Sequence, residues 1–168
     1  MFKTLIAVLT AFSMALCSQG AVREAQTCTV GEPMPHFMVT STEGAKLRAA
    51  TLHGHPLILS FWATWCTPCL EDMSVLDRAS QRYRKQGVKV LGMIVDTPRK
   101  EIVRRDLALE NASYPQYFVP EDMEEAFDVQ RGLPLTIFVD QRGIVREIYR
   151  GELTATLLDQ QIHTLLQK

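Results

Sequence analysis

The sequence has too little glycine and proline, and too even a balance of charge, for several classes of protein. Nine glycines and eight prolines in 168 residues are too few for a collagen-like or low-complexity chain, and no internal repeat is present. Eighteen basic and 19 acidic side chains give a formal net charge of -1, so no positive excess indicates nucleic acid or an anionic membrane surface as a partner. With 46% hydrophobic residues, the composition instead predicts one domain with a packed core.

A hydrophobic run long enough for a transmembrane helix is also absent. The apolar stretch that follows Lys3, from Leu5 to Leu16, has only 12 residues, which is too short to cross a bilayer. A basic start, a short apolar core and small residues at Ser18 and Gly20 are typical of a secretory signal peptide. We therefore expect residues 1–20 to be a signal peptide.

The remainder divides into a linker and a folded domain. Residues 21–30 are polar and without periodicity, which predicts a flexible linker before a domain over 31–168. A free thiol and a bond to another chain are options for Cys28, but we expect it to be inert in this linker. The signal peptide predicts a periplasmic protein, and an uncleaved signal anchor that tethers the domain to the membrane is the alternative.

Hydrophobic periodicity in the folded domain predicts a mixed sheet with helices on its faces. Short apolar runs bounded by turn residues indicate strands, and apolar residues at three- and four-residue spacing indicate helices. The predicted strands are 37–39, 46–48, 57–61, 88–95, 114–119, 135–139 and 144–149. The predicted helices run from the second cysteine of the C-x-x-C pair to Gly87, from Thr97-Pro98 towards Asn111, over 121–127 and over 157–166.

Two of the four cysteines, Cys66 and Cys69, stand where a predicted strand leads into a predicted helix. Unpaired N–H groups and the helix dipole stabilise a thiolate at a helix N-terminus, so we expect Cys66 to be the nucleophile. Cys69, one turn on, can attack a mixed disulfide at Cys66 and release the partner. Pro68 suits the first helical turn because no N–H is needed there.

A structural disulfide and a zinc site are the alternatives for this pair. A bridge between residues so close in sequence closes too small a loop to stabilise the fold much through the entropy of the unfolded chain. A four-thiolate zinc site needs a second close pair of cysteines, which the sequence lacks. The spacing therefore favours redox chemistry, with no metal and no cofactor.

The residues around the pair resemble a known superfamily. Residues 61–69, FWATWCTPC, together with residues 132–140, GLPLTIFVD, resemble the thioredoxin superfamily and, within it, the exported TlpA/ResA-like branch. The resemblance covers 31–168. It implies an α/β, thioredoxin-like three-layer sandwich: a mixed central sheet with helices on both faces, an N-terminal hairpin and a central insertion.

The resemblance also implies a set of substrate-binding residues. Pro134 matches the cis-proline that lies beside the dithiol in this superfamily, which leaves the backbone of Leu133 free to pair with an extended substrate segment. Trp65 is expected to cover the dithiol and to offer surface to partners. Thr67 and Pro68, between the cysteines, complete the predicted substrate-binding set.

Asp72 is the candidate acid or base. It falls three residues after Cys69, where the branch often carries a glutamate, and this spacing puts both residues on one helix face. A carboxylate that exchanges a proton with Cys69 is one interpretation, and an acidic residue that complements the helix N-terminus is the other. Ser60, six residues before Cys66, stands where cytoplasmic thioredoxins have a buried aspartate, and a hydroxyl cannot replace that base.

The activity that the resemblance implies is that of a thiol–disulfide oxidoreductase acting on disulfide-bearing exported proteins. No histidine stands between the cysteines to stabilise the thiolate, which favours a reductant over an oxidant. The resemblance also implies a membrane thiol reductase as the electron donor.

Three other activities are considered. A cytochrome c maturation thioredoxin usually has a Gly-Ala-Pro-Glu-like stretch where this chain has GLPL at 132–135. A peroxidase normally has a threonine three residues before its cysteine, where this chain has Ala63. A copper-binding chaperone on the same fold would use Cys66, Cys69 and a histidine as ligands, but such proteins generally have three residues between the cysteines.

Overall fold

The computed structural model describes residues 26–96 and 99–167. The predicted signal peptide, the start of the predicted linker and the predicted helix start at Thr97-Pro98 lie outside these residues. None of the helices in the described part of the chain combines the length and the apolar character that crossing a membrane requires.

Strands and helices follow one another in the order that the sequence predicts. The elements are β1 (Met38–Ser41), β2 (Lys46–Arg48), β3 (Leu57–Trp62), α1 (Thr67–Tyr83), β4 (Lys89–Ile94), α2 (Lys100–Leu109), β5 (Gln116–Phe118), α3 (Glu121–Ala126), β6 (Leu135–Val139), β7 (Val145–Arg150) and α4 (Ala155–Leu166). Short 3-10 turns follow β2, α1 and α3.

The strands of the described residues form one mixed sheet in the order β2-β1-β5-β4-β3-β6-β7. β3 pairs in parallel with β4, and β4 pairs in parallel with β5. The pairs β3 with β6, β6 with β7, β1 with β5 and β1 with β2 are antiparallel. The mixed sheet and the N-terminal hairpin are therefore confirmed, and α2 with β5 forms the central insertion.

Alternate residues of the central strands face two separate cores, as the two-residue period of a strand requires. From β3, Leu57, Leu59 and Phe61 pack on the side that carries Met123 of α3 and the neighbouring Phe127. Ile58 faces the opposite side, which α1 and α4 cover. Helices on both faces confirm the predicted three-layer sandwich.

Cys28 belongs to the first of these cores, so the expectation that it lies in a flexible linker is wrong for this residue. Its side chain is 7% exposed and packs in the cluster with Phe37 and Phe127. Its backbone N–H donates to the carbonyl oxygen of Ala126 at 2.8 Å. The sequence pattern did not predict this contact, because Cys28 stands among polar residues and a single buried residue produces no periodic pattern.

Candidate active site

The cysteine pair sits at the junction of β3 and α1. Cys66 is the residue that precedes the helix, its N–H donates to the carbonyl oxygen of Ala63 at 3.0 Å, and Pro68 occupies the first turn. Cys66 and Cys69 form a disulfide with their Cα atoms 5.3 Å apart, and each is 4% exposed. The structure therefore holds the oxidised form of the predicted pair.

The two tryptophans that flank this junction differ in exposure. Trp65 is 71% exposed beside the disulfide, whereas Trp62 is 1% exposed and packs in a cluster with both cysteines. The indole N–H of Trp62 donates to the carboxamide oxygen of Gln116 at 3.0 Å. Trp62 thus belongs to the packing around the disulfide, whereas Trp65 is exposed to solvent. Thr67 is also exposed.

Gln116 reaches Trp62 across Gly92, its partner on β4. A side chain at Gly92 would overlap the Gln116 carboxamide. The amide nitrogen of Gln116 in turn donates to the carbonyl oxygen of Tyr114 at 3.2 Å. The missing side chain at Gly92 therefore gives a buried amide the room to hold the tryptophan under the site.

The segment that contains Pro134 lies next to the cysteine pair. The Leu133–Pro134 peptide bond is cis, which matches the geometry that the resemblance implies. The half-buried Leu133 packs against the cluster that contains Cys66 and Cys69. The structure thus brings the disulfide and Leu133 together where β3 ends and β6 begins.

Asp72 is buried on α1, at 5% exposure. One of its carboxylate oxygens accepts the backbone N–H of Leu153 at 2.8 Å. Burial is the main reason that the pKa of Asp72 rises from 3.8 to about 6; the bond from Leu153 opposes this rise, and the negative charges of Glu152 and Glu71 add to it. The partner belongs to the segment after β7 and not to the first turn of α1, so the helix-terminus interpretation does not match the geometry.

Ser60 is buried beside a second hydroxyl. It pairs with Thr136 on β6 and is 7% exposed, while Thr136 is 1% exposed and its hydroxyl has no hydrogen-bond partner among the described residues. The strand position where cytoplasmic thioredoxins have a carboxylate thus carries only neutral hydroxyls. A hydroxyl in place of a carboxylate offers no base at this position.

Sequence reasoning missed two contacts that shape the site. One carboxylate oxygen of Asp96 accepts both the backbone N–H of Thr64 at 3.1 Å and its hydroxyl at 2.6 Å, just before the cysteines. Asp96 follows β4, and side chains at the carboxyl ends of neighbouring parallel strands meet, so strand order could have indicated it. Arg150, at the end of β7, donates to the carbonyl oxygens of Gly132 and Asp128, and no sequence signal indicates that contact.

Comparisons with known proteins agree with this geometry. The family model described as the AhpC/TSA family matches residues 30–148. The thiol-disulfide oxidoreductase ResA of Geobacillus kaustophilus is 28% identical over 143 residues, covering 84% of this chain and 81% of that protein. ResA of Geobacillus thermodenitrificans is 29% identical with the same coverage.

Solved structures show the same fold. A putative thiol:disulfide interchange protein DsbE from Chlorobium tepidum superimposes with a TM-score of 0.74 at 24% identity, covering 83% of this chain and 99% of that one. A putative protein disulfide isomerase from Bacteroides thetaiotaomicron gives 0.75 at 22% identity, covering 84% and 92%. At these identities the likeness establishes the fold.

Proposed function

This chain belongs to the AhpC/TSA family of thioredoxin-fold proteins, and on that basis we propose that it is an exported thiol–disulfide oxidoreductase that reduces disulfides in other exported proteins. The observation that carries the proposal is the Cys66–Cys69 disulfide at the start of α1, with Leu133, the residue before Pro134, packed against the same cluster. The two ResA relatives are named thiol-disulfide oxidoreductases, which supports the same activity.

The reaction moves two electrons from the dithiol to the substrate. The thiolate of Cys66 attacks one sulfur of the substrate disulfide, forms a mixed disulfide and releases the first substrate thiol. The thiolate of Cys69 then attacks the Cys66 sulfur and releases the second substrate thiol. The substrate ends with two thiols, and the protein ends with the Cys66–Cys69 disulfide. A membrane thiol reductase restores the dithiol in the same two steps.

Asp72 acts on the second step. Cys69 is buried and must lose a proton before it attacks, and Asp72 lies three residues further along the same face of α1. A pKa near 6 lets Asp72 be ionised at neutral pH while it remains basic enough to accept a proton. When the electron donor reduces the Cys66–Cys69 disulfide, the same carboxyl returns the proton to Cys69.

A peroxidase is the nearest other activity, and one residue argues against it. Ala63 is fully buried at the position three residues before Cys66, where the peroxidase pattern has a threonine hydroxyl. A methyl group there offers no hydrogen bond to a peroxide oxygen. Consumption of hydrogen peroxide at a rate comparable to disulfide reduction would contradict this argument.

The test is the equilibrium reduction potential of the Cys66–Cys69 pair, measured against glutathione in the chain without residues 1–20. A reductant is expected at about -250 mV or below, whereas a value near -120 mV would make the protein an oxidant and refute the proposed direction. Cys69→Ser stalls the reaction at the mixed disulfide, so this variant traps the substrate proteins on Cys66. A Cys66→Ser variant is the matched control and should trap none.

A further inference from the structure

Arg150 connects the end of β7 to the loop before Pro134. One terminal nitrogen of its guanidinium donates to the carbonyl oxygen of Gly132 at 3.0 Å, and the other donates to the carbonyl oxygen of Asp128 at 2.7 Å. The second nitrogen also lies 3.6 Å from the carboxylate of Asp128, and the Arg150 side chain is 28% exposed. Two backbone carbonyls of one short loop therefore converge on one planar cation.

These carbonyls mark the two ends of the loop. Asp128 adopts a left-handed backbone with a φ of 54°, a 3-10 turn spans Val129–Arg131, and Gly132 has a φ of 118°. A non-glycine residue with positive φ is held in place by its surroundings, because the free chain disfavours it. By donating to both ends, Arg150 fixes the separation of the ends and the direction of the chain that enters Leu133.

The hydrogen bond to the Gly132 carbonyl involves the peptide group that, in the proposed function, pairs with substrate. The Gly132 carbonyl and the Leu133 N–H belong to the same planar peptide unit, so the position of one atom sets the direction of the other. A charged donor on the carbonyl also polarises the unit and strengthens the N–H as a donor. Within residues 26–96 and 99–167, the Leu133 N–H has no hydrogen-bond partner of its own.

We propose that Arg150 is a positioning residue for substrate, which orients and polarises the Leu133 N–H towards the backbone of an extended disulfide-bearing polypeptide. This inference rests on the proposed function and adds a determinant of protein substrates over small disulfides. Arg150 acts through the peptide group and not on the sulfur atoms. A small disulfide, which has no backbone to pair with Leu133, gains nothing from Arg150.

The experiment compares two substrates in the chain without residues 1–20. Insulin is the polypeptide disulfide, and hydroxyethyl disulfide is the small one. Arg150→Met removes both hydrogen bonds, and Arg150→Lys keeps the charge without the planar fork. Arg131→Gln is the matched control, because Arg131 is an exposed cation of the same loop whose guanidinium hydrogen-bonds only the Asp128 carboxylate among the described residues.

Arg150→Met should raise KM for insulin about tenfold, the scale of losing the hydrogen bond from the Leu133 N–H to substrate, and leave kcat unchanged. The rate with hydroxyethyl disulfide and the reduction potential should not move. Arg150→Lys should fall between the wild-type chain and Arg150→Met, and Arg131→Gln should match the wild type.

Equal losses with both substrates would overturn the proposal, because they would mean that Arg150 only maintains the fold. An effect of Arg131→Gln as large as that of Arg150→Met would also overturn it, because charge alone would then be responsible. If the wild-type chain reduced neither substrate, the proposed function itself would fail, and this result is distinct from either of the others.

Discussion

Replacement of Asp72 by asparagine should change how the stability of the oxidised protein depends on pH. Asp72 is 5% exposed, and burial raises the pKa of its carboxyl from 3.8 to about 6 in the folded chain. A folded-state pKa above the unfolded value means that ionisation opposes folding. Stability is therefore complete below the unfolded value of 3.8 and declines as the pH rises through about 6.

The size of the effect follows from that difference. A rise from 3.8 to about 6 corresponds to about 3 kcal/mol of folding free energy lost once the carboxyl is fully ionised. Asparagine can still accept the Leu153 N–H through its amide oxygen but does not ionise. Relative to wild type, Asp72→Asn should thus be about 3 kcal/mol more stable at about pH 8 than at about pH 3.5, measured as a larger free energy of unfolding.

Urea unfolding of both oxidised proteins across this pH range measures the difference directly. The amide N–H groups that Asp72→Asn introduces cost a fixed amount to bury. This cost changes the free energy of unfolding of the variant by the same amount at every pH and leaves the pH trend intact. Glu125→Gln, at an exposed position of α3, is the control and should show almost no trend. A difference that stays constant or shrinks as the pH rises would refute the reasoning about Asp72.

Two further predictions concern buried groups away from the disulfide. Burial raises the pKa of the Cys28 thiol to about 12, and the nearby charge of Arg150 opposes this rise only in part. Iodoacetamide should therefore alkylate Cys28 in the unfolded protein but not in the native oxidised protein. Labelling of the native protein followed by mass spectrometry tests this. Burial alone would raise the pKa of Asp140, but hydrogen bonds from the Ile144 N–H, Arg146 and the Arg142 N–H bring it below its usual value. Asp140→Asn should therefore destabilise the protein at neutral pH, and the wild-type advantage in urea unfolding should fade in acid as Asp140 becomes protonated; an advantage that persists unchanged in strong acid would contradict this assignment.

Much of the fold was predictable because its signals are local. Cys66 directly precedes the helix from Thr67 to Tyr83 and closely follows the strand that ends at Trp62. The apolar run indicates the strand, and apolar spacing and a first-turn proline indicate the helix. The β6–β7 hairpin was predictable for the same reason, because a turn with Gly143 separates its two strands. The exception is Cys28, whose burial depends on a carbonyl almost 100 residues away in sequence.

The candidate site divides in the same way. By itself, the sequence determined the two cysteines and their place at a helix N-terminus, because helix dipole and residue spacing act between near neighbours. The proline segment was indicated by the resemblance to the thioredoxin superfamily. Tertiary structure alone decided that Asp72 accepts the N–H of Leu153, 81 residues away, and that Arg150 reaches Gly132, 18 residues away. Those contacts depend on strand register and on which face each side chain takes, and a shift of one residue in a strand would remove them.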